Sequence, residues 1–113
     1  MYLGGSEYTP RYPIMSCIAL ENATEKSVIT LLDELATKKV PSIAMLAAVI
    51  WGGMIADQPQ LTQEQVIQML QEGDAGQFRT AYKECMEALY ASMTHLLFGT
   101  DESAGTEDGA EKN

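Results

Sequence analysis

Few side chains in this sequence are of reactive type, and none stands at a spacing that organises chemistry. His95 is the only histidine. It falls near the end of a helical stretch, where an imidazole meets the last unpaired carbonyls or faces water. A hydrolase built on it would need an activated nucleophile, and no strand–turn–helix nucleophile elbow occurs. The two cysteines, Cys17 and Cys85, each lie within a helical pattern and read as buried free thiols of a reducing compartment. With His95 they make three scattered donors, not the closely spaced set that zinc requires. The run DESAGTEDGAE is rich in carboxylates, but its acids miss the EF-hand register and no helices flank it on both sides. Gly4-Gly5 lacks both the P-loop lysine and the Rossmann spacing. Glu21 with Glu25, and Glu84 with Glu87, share helical faces, but no catalytic partner accompanies them, so they read as solvated surface. No enzyme, no cofactor and no metal site is expected.

The elements that would carry these residues are more informative than the residues themselves. IAMLAAVIWGGMIA, residues 43–56, runs for fourteen positions without a charge, and the Trp51 indole is its one hydrogen-bonding side chain. A bilayer span needs about 20 apolar residues, so this segment is too short to cross a membrane. A helix that is apolar on every side must be covered by neighbours or by a partner chain. Seven methionines occur in 113 residues, and methionine adapts to irregular or changing partners. Trp51 stands close to Met54 and Ile55, a combination enriched at interaction hot spots. Trp51, Met54 and Ile55, with the side that carries Phe78 and Tyr82, are therefore the candidate contacts for self-association or for binding a client.

Size and charge bound the rest. The length suits one small domain, and a hydrophobic content of 46% is enough for a real core. The opening MYLGGSEYTPRYP has neither the basic nor the apolar region of a secretory signal. Sixteen acids against seven bases give a formal charge of −9, which disfavours nucleic acid and anionic membrane as partners. Residues 1–99 hold eleven acids and six bases, a net −5. Residues 100–113 add five acids, one lysine and no large apolar group. Such a segment cannot offset its own conformational entropy by burial, so a solvated, disordered tail is expected there.

Periodicity then predicts a mainly α fold: about five helices, preceded by a short N-terminal β-hairpin. Tyr2 and Leu3 lead into the turn pair Gly4-Gly5, and Glu7, Tyr8 and Thr9 return. Tyr2, Tyr8 or Tyr12 would anchor the hairpin on the helices. A first helix over 14–21 places Ile14, Cys17 and Ile18 inward, with or without Met15, and Asn22 is its stop. A second helix runs from Glu25 or Ser27 to Thr37, with Val28, Leu31, Leu32 and Leu35 as its apolar stripe. Asp33, Glu34 and Lys38 face away, and Lys38 and Lys39 complement the negative end of its dipole. Pro41 or Ser42 starts the apolar helix, and Gly52-Gly53 ends it, kinks it or admits a neighbouring backbone. Asp57 and Pro59 close that segment.

Thr62 and Gln65 fit the capping box, with Leu61 and Val66 placed as a staple. Val66, Ile67, Met69 and Leu70 form the buried side, and Gly73 is the C-cap. The last helix runs from Gln77 to Phe98 and ends at Gly99. Phe78, Tyr82, Cys85, Met86, Leu89, Met93, Leu96 and Leu97 recur along it at steps of mostly three and four.

Three segments in order carry a family resemblance. ALENATEKSVITLLDEL is a short helix, a polar break and a leucine-striped helix; SIAMLAAVIWGGMIAD is the apolar helix with its Trp-Gly; LTQEQVIQML follows. Preceded by a hairpin such as YLGGSEYTP, that succession resembles the phage tail assembly chaperones, including those of gene-transfer-agent-like elements. The resemblance covers about residues 2–75. The chain departs from the family pattern in an unusually short first strand and in the lack of the usual glycine before the second helix, around Ala23-Thr24.

The resemblance implies a non-enzymatic, mainly helical protein of tailed phages or prophages. Such a protein acts in the host cytoplasm and is absent from the finished virion. It would coat the tape measure protein, keep it soluble and help recruit tail tube subunits. Many such chaperones are made in two lengths by translational frameshifting, and this chain would match the shorter one. The alternative from another class is a small acidic phage or prophage adaptor that binds a host protein.

Overall fold

In the computed structural model, residues 1–37 and 42–99 are described. Two antiparallel strands and five helices follow one another in the chain. Strands β1 (Tyr2–Leu3) and β2 (Ser6–Glu7) pair Tyr2 with Glu7 and Leu3 with Ser6. Gly4 and Gly5 both have positive φ, 57° and 83°, which is what a two-residue hairpin turn of the type I′ class demands. The hairpin is held down by Leu3 and Met1, both buried. Tyr12 beyond it is also buried, Tyr8 is half-buried, and Tyr2 lies on the outside. Of the three tyrosines expected to anchor the hairpin, Tyr2 does not, because alternation sends Leu3 inward instead.

Helix α1 (Ile14–Thr24) continues three residues past the expected end, and Glu25, not Asn22, takes the left-handed conformation that stops it, at φ 59°. Its buried residues are Ser16, Cys17 and Leu20, while Ile14, Met15 and Ile18 are exposed. The expected inward face is corrected by packing. Tyr12 and Leu20 settle against Gly52, and this rotates the Ser16 side of α1 toward the body.

Helix α2 (Val28–Thr37) buries Val28, Leu31 and Leu35 as expected, with Leu32 half-buried. The Ser27 Oγ accepts from the Thr30 amide at 3.1 Å, and Glu21 accepts from the Val28 amide at 2.9 Å. Together they satisfy amides that the first turn leaves unpaired. Glu34 does not simply face away: it is half-buried and pairs with Lys26 at 2.8 Å. The expected roles of Lys38, Lys39 and Pro41 lie outside the described residues, as does the tail at 100–113.

Helix α3 (Ile43–Met54) starts at Ser42, whose side chain accepts from the Met45 amide. It buries Leu46 through Ile50, then Gly52, Gly53 and Met54. Its glycines lie inside the helix, which runs on to Met54. They admit Tyr12 and Pro10: a Cβ built on Gly53 would lie 2.7 Å from the Tyr12 hydroxyl and 3.1 Å from Pro10 Cβ. The Tyr12 hydroxyl donates to the Val49 carbonyl at 2.5 Å, and the Arg11 amide donates to the Gly53 carbonyl at 2.9 Å.

Helix α4 (Gln63–Glu72) carries the expected capping box of Thr62 and Gln65. Helix α5 (Ala75–Phe98) starts two residues earlier than periodicity predicts, because Asp74 and Gln77 form a second capping box. Gly99 ends it at φ 68°.

The α3–α5 and α1–α3 pairs are the most extensive helix contacts. Phe78 lies with Ile43 and Ala47, and Ser92 reaches Tyr12 beside Val49, so α5 runs along α3 in the same direction. Ala23 and Thr24 lie with Met45 and Ala48, so α1 runs the opposite way. Ile50, Val66, Ala81, Cys85 and Leu89 are fully enclosed between these elements.

Candidate functional site

Cys17, Cys85 and Tyr12 are enclosed by the fold, whereas His95 is exposed in the last turn of α5. Both cysteines are free and buried. Burial pushes the Cys85 thiol up to about 11, and it also raises Cys17 above its usual range. A thiol held protonated is a poor nucleophile and a poor metal ligand. Cys85 instead touches the Met1 sulfur at 3.6 Å, and Cys17 points to the Tyr12 carbonyl at 3.6 Å. Burial likewise holds the Tyr12 phenol well above its ordinary value, with the neighbouring thiols adding to the effect. Among the described residues no group of three His, Cys, Asp or Glu side chains comes together to hold a metal ion. No described helix is long and apolar enough to cross a membrane.

The five residues singled out as contacts differ in exposure. Met54 is 2% exposed and belongs to the core. Trp51 is half-buried, and its indole N–H donates to the Leu61 carbonyl at 2.9 Å, which ties α3 to the entrance of α4. Ile55, just beyond the end of α3, is half-buried as well. Phe78 and Tyr82 are half-buried on α5, and Phe78 alone of the five lines an apolar groove.

That groove has a volume of about 520 Å³ and lies between the start of α3, the end of α4 and the start of α5. Ile43, Ala47, Ile67, Leu70 and Phe78 form its floor and walls, and Gln71 and Asp74 bring polar groups to it. Each of the three helices contributes through a local rule. Ser42 fixes where α3 begins, Gly73 breaks α4 from α5, and the Asp74 box starts α5 immediately after. Three helix ends converge there, and a convergence of ends leaves apolar side chains half covered. An open trough of this size and lining accepts the apolar stripe of another helix.

A second apolar surface was not singled out by periodicity. Leu96, Leu97 and Phe98 at the end of α5 are exposed, as are Ile14, Met15 and Ile18 on α1. Ser92, one turn before Leu96, donates to the carbonyl of Tyr12, two residues before Ile14. For α1 the sequence holds no directional signal, since residues 12–20 are nearly apolar all round and any face could be the buried one. For α5 the stripe was readable, but not the point at which its cover runs out. Searches for related proteins return no match to the chain, whether by family model, among curated proteins or among solved structures.

Proposed function

We propose that this chain is a phage tail assembly chaperone, which binds helical segments of the tape measure protein, keeps them soluble and helps recruit tail tube subunits. The observation that carries the reading is the apolar groove lined by Ile43, Ala47, Ile67, Leu70 and Phe78 on a chain of net charge −9. A tape measure is a long, largely helical polymer with apolar stripes that aggregate when bare. A groove open to the apolar side of a helix covers such a stripe, and the acidic exterior keeps the complex in solution. The resemblance carried by residues 2–75 supports the same role, with the host cytoplasm as the place of action and no enzymatic step.

Co-expression with the tape measure gene of the same operon tests the proposal. The client is expected in the soluble fraction when the chain is present, and to return to the pellet with the groove variant Ile67→Asp. Helicity measured by circular dichroism checks that the variant is folded. A client that stays equally insoluble with and without the chain would refute the chaperone role.

A further inference from the structure

On the proposed reading of the groove between α3, α4 and α5 as a helix-docking site, we infer that it selects its guest by charge. It takes an amphipathic helix whose apolar stripe is flanked by Lys or Arg, and Asp74 and Glu64 are the residues that make the selection.

The charge around the groove is one-sided. Residues 42–56, which supply the α3 wall, hold no charge. Residues 61–78, which supply the α4 and α5 walls, hold three acids, Glu64, Glu72 and Asp74, and no base. All three acids are exposed. Asp74 is the one charged side chain that lines the groove itself. Among the described residues, the next bases along α5, Arg79 and Lys83, are exposed and do not line it, while Arg11 and Lys26 are taken up by Asp57 and Glu34.

Both selecting acids have room for a cation. Asp74 caps α5, its Oδ1 accepting from the Gln77 amide at 2.8 Å, and its Oδ2 has no partner among the described residues. Glu64 stands three residues before Ile67 and seven before Gln71, both of which line the groove. Helical register therefore puts it on the same stripe of α4, one turn out from Ile67. The two acids bracket the apolar side chains of the α4 wall. Between them, the last turn of α4 carries Glu72 and no basic residue, so the negative end of that helix is not offset from within the chain. A guest stripe flanked by acids would meet like charge at both ends, and one flanked by bases would meet opposite charge.

Two synthetic helical peptides of about 20 residues, a length that supports a helix in water, test the selection against the full chain. Both carry the same leucine stripe, flanked by lysines in one and by glutamates in the other. Fluorescence anisotropy should give the lysine peptide a Kd lower by about 10-fold or more, since two attractions replace two repulsions. Asp74→Asn with Glu64→Gln should shrink that difference to about 3-fold or less; asparagine keeps the α5 cap while removing its charge. Asp33→Asn with Glu87→Gln alters two exposed acids that do not line the groove. It changes the net charge equally and should leave the difference as it was. Ile67→Gln, which removes apolar contact without adding charge, should weaken both peptides by about 10-fold. Circular dichroism checks that each variant keeps its helicity. Equal binding of the two peptides, or a preference lowered as much by the distant pair as by Asp74 and Glu64, would overturn the charge selection and leave the helix-docking groove standing. No binding of either peptide, or binding indifferent to Ile67→Gln, would overturn both.

Discussion

Helices α3 and α5 are the two longest of the described helices, and they meet opposite fates. Helix α3 has twelve residues, about 18 Å of length, and lies against α1, α4 and α5. Its apolar surface is consumed by those three neighbours from Leu46 to Met54, apart from a half-buried Trp51. Helix α5 has twenty-four residues, about 36 Å, and outruns the elements that cover it. Its inner line of Ala81, Cys85 and Leu89 is sealed, whereas Leu96, Leu97 and Phe98 emerge into solvent. The helix that looks most in need of a partner is covered within the chain from Leu46 onward and stays open only at its start, where Ile43 lines the groove. The amphipathic one, which looks self-sufficient, is not. Hydrophobicity sets how much surface must be covered, and helix length against the available cover sets where the deficit falls.

The contrast can be tested by substitution. Leu89→Ala should have the largest effect, a loss of about 2–5 kcal/mol, since it opens a cavity in a site that cannot collapse; denaturant titration reads it directly.

High pH comes next. The Cys85 and Tyr12 groups titrate above their unfolded values because they are buried. Below pH ~8 both are protonated in the folded and unfolded states alike, so neither makes stability depend on pH. Above that, the unfolded chain releases protons that the folded one retains, and stability should fall. Between about pH 9 and 11, Cys85 alone accounts for a loss on the order of 2–3 kcal/mol. Cys85→Ala should flatten that part of the pH profile.

Gly53→Ala should cost about 1–3 kcal/mol, because the new methyl group must displace the Tyr12 ring from its close approach to α3. Leu97→Ala, at the uncovered end, should change stability by less than about 0.5 kcal/mol. If Leu97→Ala proves as costly as Leu89→Ala, the two regions are not different in kind.

The helical order, the hairpin and the free thiols were legible in the sequence because each rests on a local rule. Gly4-Gly5 supports a turn with positive φ, Thr62 and Gln65 define a cap, and the α2 leucines repeat at helical spacing. The second cap, Asp74 with Gln77, obeys the same rule as the first and was readable from its Asp-x-x-Gln spacing. The buried face of α1 was not legible. Its apolar residues point in every direction, and the choice among them falls to Gly52 and Gly53, more than thirty residues away. The settings of Met54 and Trp51 were not legible for a similar reason. Composition marked Trp51, Met54 and Ile55 as sticky, but Met54 was needed inside and the Trp51 N–H found a partner at Leu61. Exposure is a property of what lies opposite a residue, and spacing along one helix does not report that.

Hydrogen exchange compares the two helices most directly. Amides of residues 46–54, in the covered part of α3, should be strongly protected, with opening free energies close to that of global unfolding. Amides of residues 95–98, at the uncovered end of α5, should exchange far faster by local fraying. Equal protection in the two segments would contradict the account.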